Sequence, residues 1–346
     1  MQWRGALFLF LSTSGCELFL SPREQLEGRD GGGDSSDGGV ATCDADITHD
    51  EKNCGACGRD CCEGKCVSGA CTPAQLGLGG EPRSLTLDDT SIYWFDRSDG
   101  TIRGRPKSQV GQEKVIYTGT SGLNIGQIAV DGTSVYFTSA TAVMRAPKIP
   151  GTATTIRGGL TNAGSAAVHD GFVYYVTGSE VRRVRFDGSG DELITTLANA
   201  GPALVVAPPS LYLTPKLVRV PLLGGSQEGP AFDTDAVSVG PNDVFALQFL
   251  PTTRVAVVRL DLATLTPTTI TEVDGAGGIA ADGARVWLGD FGTTNGDGAI
   301  VRYDTDGKNR TVLATGMPRP SYLVADERCI YWSNPYNDGR IMKVAK

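Results

Sequence analysis

A chain of 346 residues with 40% apolar content can build one large core with a small module beside it. Its net charge of −8 excludes the basic surface that phosphate neutralisation requires, so no nucleic-acid partner is expected. The 46 glycines point to strands joined by many tight turns.

Residues 1–15 have the layout of an export signal: Arg4, a short apolar stretch at Gly5–Leu11, then the small polar run Ser12–Gly15. The stretch is too short to span a bilayer, and no other apolar run reaches spanning length. The run ending in Gly15-Cys16 resembles the lipoprotein box of exported bacterial proteins. That resemblance implies acylation of Cys16 and an outer-membrane or cell-surface location, although Thr13 stands where the family prefers Leu. Plain secretion is the alternative. Residues 16–42, rich in Gly, Asp and Ser, are expected to be a disordered tether. The membrane would then be met only through the lipid.

Seven of the nine cysteines fall between Cys43 and Cys71: Cys43, Cys54, Cys57, Cys61, Cys62, Cys66 and Cys71. This stretch has no apolar pattern, so cross-links must hold it together. Zinc ligation by Cys54, Cys57, Cys62 and Cys66 competes with disulfides, and export favours disulfides. The core NCGACGRDC at 53–61, with Cys62 beyond it, is similar to stigma-specific cysteine-rich modules, which implies an extracellular disulfide module over 43–71. With Cys16 acylated, eight thiols remain, an even number, so Cys329 is expected to pair with a knot cysteine. Cys71 is the candidate because it lies nearest the following domain. An ordinary buried thiol at Cys329 is the alternative.

Beyond residue 72 an apolar phrase with an aromatic near its start recurs seven times, anchored by Tyr93, Tyr136, Tyr174, Tyr212, Phe245, Trp287 and Tyr331, about 33 to 44 residues apart. That spacing is the period of blade-type β-repeats. Each unit divides into four strands, A to D, with the aromatic phrase as strand B. Strand C carries a basic residue: Arg103, Arg145, Arg183, Arg219, Arg259, Arg302 or Lys343. The A–B turns Asp131-Gly132, Asp170-Gly171 and Asp282-Gly283 read as hairpins in which both central residues take positive φ. Strand D is legible in five units and missing from the fourth and the last. Gln75–Leu78 resembles the D strand Thr311–Ala314, so it is expected to complete the last sheet beside Ile341–Val344 and hide both edges. The expected fold is all-β: a seven-bladed β-propeller over 72–346, closed by an N-terminal strand and preceded by the disulfide module. Six blades is the alternative if the unit containing Pro208, Pro209 and Pro215 fails.

SIYWFD at 91–96 resembles the YWTD signature of low-density lipoprotein receptor propellers, and RYDTDGKNRTVL at 302–313 resembles the C-to-D part of those blades. The family has six blades, so the resemblance supports the architecture and carries over no partner. His49 and His169, the two histidines, both read as turn residues. The seven-bladed streptogramin lyase type uses metal and histidine near its axis, and neither histidine here has a comparable strand context. Acid pairs such as Asp304/Asp306 and Asp290/Asp297 suit calcium or glycoside chemistry, but Asp306-Gly307 is more simply a turn. No catalytic residue, metal or cofactor is assigned.

The interval from the B aromatic to the C basic residue is about 14, 15 and 12 in units five to seven, against about 7 to 10 in the others. Those longer B–C loops, with the loop of unit one beside them on closure, carry Phe249, Asp290, Phe291, Asn295, Asp297, Tyr336, Asn337, Asp338, Asp96 and Asp99. Aromatics among acids on rigid loops suit a protein or glycan partner. The expected role is a monomeric, non-catalytic binding or scaffold module. A hydrolase or lyase acting on polysaccharide through the central funnel is the alternative.

Overall fold

The computed structural model describes residues 45–346 except 109–111, 120–124, 150, 199–202, 231, 253, 295 and 337–338. The segments expected to be an export signal and a tether, with Cys16, Cys43, Asn295, Asn337 and Asp338, lie outside the described residues. Asp44–Lys346 pack as one compact unit. No helix among the described residues is long and apolar enough to cross a membrane.

The fold is a seven-bladed β-propeller. Blade 1 comprises Pro82–Leu87, Ser91–Asp96, Thr101–Pro106 and Lys114–Thr118. Blade 2 comprises Ala129–Val130, Ser134–Ser139, Ala142–Pro147 and Thr154–Gly158. Blade 3 comprises Ala163–His169, Phe172–Thr177, Glu180–Arg185 and Glu192–Thr196. Blade 4 has three strands, Leu204–Ala207, Ser210–Leu213 and Val218–Pro221. Its prolines do not abolish it, and isolated bridges Lys216↔Asp233 and Arg219↔Glu228 cover its outer edge. Blade 5 comprises Val237–Val239, Asp243–Phe249, Val255–Asp261 and Pro267–Val273. Blade 6 comprises Ala276–Ala281, Arg285–Asp290, Gly298–Asp304 and Thr311–Met317. Blade 7 comprises Ser321–Ala325, Cys329–Asn334 and Arg340–Ala345, with Ala74–Leu78 as its fourth strand. The pairs Arg340↔Leu78 through Lys343↔Ala74 close the ring as the repeat requires.

The recurring aromatics build the core between blades. In six blades the B aromatic lies directly across from the C basic residue, for example Tyr136↔Arg145, Trp287↔Arg302 and Tyr331↔Lys343. Residues directly opposite on neighbouring strands share one face of the sheet, so each aromatic and its basic partner stand side by side. Blade 1 is shifted by one: Gly104 faces Tyr93, and a Cβ there would meet the ring at 2.7 Å.

The A–B turns differ from expectation. Only Asp170-Gly171 takes positive φ at both residues, 47° and 79°. At Asp131 and Asp282 the carboxylate closes a three-residue turn by accepting from two backbone amides, Thr133 and Ser134, or Ala284 and Arg285. Asp88 and Asp326 do the same, at positions where no Asp-Gly pair marks the turn.

The cysteine module forms one short hairpin, Cys66–Val67 with Ala70–Cys71, and is cross-linked by Cys54–Cys66 and Cys61–Cys71. Cys57 is also disulfide-bonded. Cys54, Cys57, Cys62 and Cys66, the four residues of the zinc reading, are all disulfide-bonded, which removes that reading. Cys329 does pair with the knot, through Cys62 and not Cys71. Nearness in sequence misled here, because Cys71 is already committed to Cys61 and Cys62 faces the start of strand B in blade 7. The module cysteines share one apolar cluster with Leu76, Trp94, Tyr331 and Ile341, so the module packs on the seam between blades 7 and 1.

Candidate functional site

The B–C loops and the D–A crossovers share one face of the ring. The inner strands of blades 6 and 7 approach each other there through the parallel pair Gly277↔Ser321. Glycine is needed at this contact: a Cβ on Gly277 would lie 2.4 Å from the Phe291 ring, and one on Gly289 2.4 Å from the Pro320 carbonyl. The bare backbone of blade 6 is therefore the seat on which Phe291 rests.

Phe291 and Tyr336, from the loops of adjacent blades, come together around a residue that sequence reasoning missed. Arg319, in the crossover between blades 6 and 7, lays its guanidinium over both rings, 4.7 Å from the Phe291 centroid and 5.7 Å from that of Tyr336. Arg319 itself adopts φ 52° between Pro318 and Pro320. The Pro-Arg-Pro triplet was the available signal, since prolines on both sides leave the chain little freedom.

The predicted acids play a different part. Asp96, placed on the binding face by its position, is instead 1% exposed. Its carboxylate accepts from the amides of Gly80 (2.9 Å), Glu81 (3.0 Å) and Ser98 (3.1 Å) and from the Ser98 hydroxyl (2.6 Å). It fastens the crossover from blade 7 to blade 1. Asn334 occupies the same place in blade 7, buried and with Oδ1 unpartnered. The crossover it faces carries Pro318 where Gly80 supplies an amide in blade 1. Asp99 accepts from Thr101 and pairs with Arg103. Asp290 accepts from the Gly292 amide at 2.9 Å. Asp297 accepts from Thr293 and Thr294. These acids shape their own loops. Phe249 is exposed at the end of strand B in blade 5, three blades from blade 1 around the ring.

Closer to the axis the same face holds Arg83, Asp235 and Tyr322, none of them singled out by sequence. Tyr322 has φ 50°, a conformation that a bulky residue holds only when its surroundings dictate it. Burial pushes its phenol up, and the nearby Arg83 charge opposes this. Asp235 keeps contact with solvent, yet the protein around it pushes its carboxyl up. Glu81 is engaged by both Arg83 and Arg97. His169 ends the inner strand of blade 3, at the opposite, A–B face.

The chain matches no protein-family model and no curated protein. Its fold is similar to that of several solved β-propellers. A catalytically inactive virginiamycin B lyase from Staphylococcus aureus with quinupristin aligns at TM-score 0.61 and 15% identity, covering 80% of this chain and 99% of that one. YCF48 bound to D1 peptide aligns at TM-score 0.61 and 11% identity, over 79% and 96% of the two chains. BamB from Moraxella catarrhalis aligns at TM-score 0.50 and 12% identity, over 80% and 98%. At these identities the likeness establishes the fold: this chain is a β-propeller repeat protein.

Proposed function

We infer that this chain is an exported, lipid-anchored surface protein that binds a protein partner through the B–C face of its propeller, without catalysis. The observation that carries this reading is the use made of each residue on that face. Its acids Asp99, Asp290 and Asp297 are spent on their own loops and Asp96 on the crossover from blade 7 to blade 1, while Phe291, Tyr336 and Arg319 form a preorganised apolar and cationic surface. Preorganised aromatic and arginine side chains are the usual energetic centres of protein interfaces. Similar propellers solved with a peptide, such as YCF48 with D1 peptide, support a protein partner. The disulfides support an oxidising, extracytoplasmic location.

The test is a binding assay with an immobilised random peptide library, comparing the native protein with Phe291→Ala and Tyr336→Ala. We expect each substitution to weaken the peptides selected by the native protein by about tenfold or more. Selection of the same peptides at unchanged affinity would remove this face as the site.

One observation favours a second reading, a polysaccharide hydrolase or lyase: Asp235, with its raised carboxyl, and Tyr322, with its left-handed backbone, stand near the axis. In that case Asp235→Asn or Tyr322→Phe abolishes cleavage of acidic and neutral polysaccharides assayed by reducing ends. No cleavage by the native protein disposes of the reading.

A further inference from the structure

We propose that Arg319 is a carboxylate anchor, and that the segment bound on this face is an acidic peptide whose carboxylate pairs with the guanidinium edge. The proposal rests on the binding role given above and names the chemistry that the site selects.

Arg319 is exposed, and among the described residues its guanidinium makes no ion pair or hydrogen bond, only its backbone carbonyl accepting from the Ser321 hydroxyl, although the chain has 39 acidic residues. Its guanidinium carbon lies instead over the Phe291 and Tyr336 rings. A guanidinium stacked on aromatic rings keeps its in-plane N–H groups free, and these match the two oxygens of a carboxylate. Stacking also removes most of the side-chain freedom that an unanchored arginine loses on binding, so less affinity is spent on ordering.

The backbone around it is built for that position. Arg319 holds φ 52° between two prolines, a conformation that persists only where the surroundings impose it. Phe291 lies against Gly277 and Gly275, where a Cβ would stand 2.4 Å and 3.0 Å from the ring. The inner edge of blade 6 thus gives up side-chain volume to seat one ring beneath one guanidinium.

The same geometry favours a peptide over a glycan. Sugars pack their C–H faces on aromatic rings that are open to solvent, whereas each ring here offers a face to Arg319. The presented group is the guanidinium edge, bordered by the exposed part of Tyr336. That combination fits an Asp, Glu or C-terminal carboxylate next to an apolar residue.

The experiment uses the disulfide-intact protein on an array of random dodecapeptides, each made with a free C-terminal carboxylate and as the C-terminal amide. The expected result is a selected set that shares an acidic position or requires the free C-terminus. Internal Asp/Glu→Asn/Gln peptides and the amides tell these two sources apart. Arg319→Gln should weaken the set by about tenfold or more without changing the melting temperature. Arg319→Lys should fall between, because it keeps the charge and loses the planar fork. An acidic preference that survives in Arg319→Gln overturns the anchor, as does a selected set with no acidic preference. Arg319-dependent binding confined to uronic-acid glycans on a parallel glycan array overturns the peptide assignment. Peptides bound through Phe291 and Tyr336 but indifferent to Arg319 sink the anchor alone. If the native protein selects no peptide at all, the binding role falls with it.

Discussion

Asp88, Asp131 and Asp326 each serve two tasks. One carboxylate oxygen closes the A–B turn and the other accepts from the tyrosine five residues on, Tyr93, Tyr136 or Tyr331, at 2.6 to 2.9 Å. Lysines at the ends of neighbouring C strands complete the device between blades: Lys148 reaches Asp88, Lys107 reaches Asp326, and Lys346 reaches Asp282. Beside Asp131 the corresponding residue is Phe186, which stacks on Tyr136 with centroids 4.6 Å apart. Burial alone would raise these carboxyls. The hydrogen bonds and lysine charges outweigh it at Asp88 and Asp326, and at Asp131 the Tyr136 hydroxyl and backbone amides do so. All three carboxyls end below the usual carboxylate range.

A lowered folded value means that the stabilisation is complete above about pH 4, where unfolded Asp ionises, and is lost as pH falls through the folded value. Melting temperature should therefore drop steeply below about pH 4. In the triple variant Asp88→Asn, Asp131→Asn, Asp326→Asn that slope should flatten, and stability at pH 7 should fall; an unchanged slope would reject the assignment. Asp88→Ala alone should cost about 1–3 kcal/mol by chemical denaturation, because it leaves two turn amides and Tyr93 without an acceptor.

At the scale of elements, the closing strand Ala74–Leu78 and the cysteine module act together. The strand closes the ring through pairs to Arg340–Lys343, and the Cys62–Cys329 bond ties the segment just before it to strand B of the same blade. Lys343, 4% exposed at its side chain, donates to Glu63 Oε2 at 2.7 Å and to the Lys107 carbonyl at 2.6 Å, so its buried charge is met by the module and by blade 1. The disulfide spans 267 residues, a long loop whose closure restricts the unfolded chain strongly. Cys62→Ser with Cys329→Ser should lower stability by about 2–5 kcal/mol and speed proteolysis near residue 74, measured by urea denaturation and timed digestion. Loss of less than about 1 kcal/mol would mean that strand pairing alone keeps the ring shut.

For the whole molecule, closure decides what the binding face can be. Only when blade 7 is completed by Ala74–Leu78 do the loops of blade 1 join those of blades 6 and 7. The sequence reading brought Phe291 and Tyr336 to one quadrant through loop length and ring order. It also assigned Asp96 there, because a position at the end of a strand does not reveal which way the side chain turns. Arg319 stayed hidden, since a single cation in a crossover looks like any solvated arginine until two rings from different blades are found against it.

Periodicity was enough to specify the all-β repeat and the strand that closes the ring, while the standing of the proline-rich fourth unit as a blade, and so the count of seven, was decided by the fold. A spacing near forty residues and a missing last strand are properties of one dimension, and a chain records them directly. Cysteine connectivity, the inward turn of Asp96 and the stacking of Arg319 were decided by packing. Each depends on distances between segments far apart in the chain, which exist only once the blades have docked.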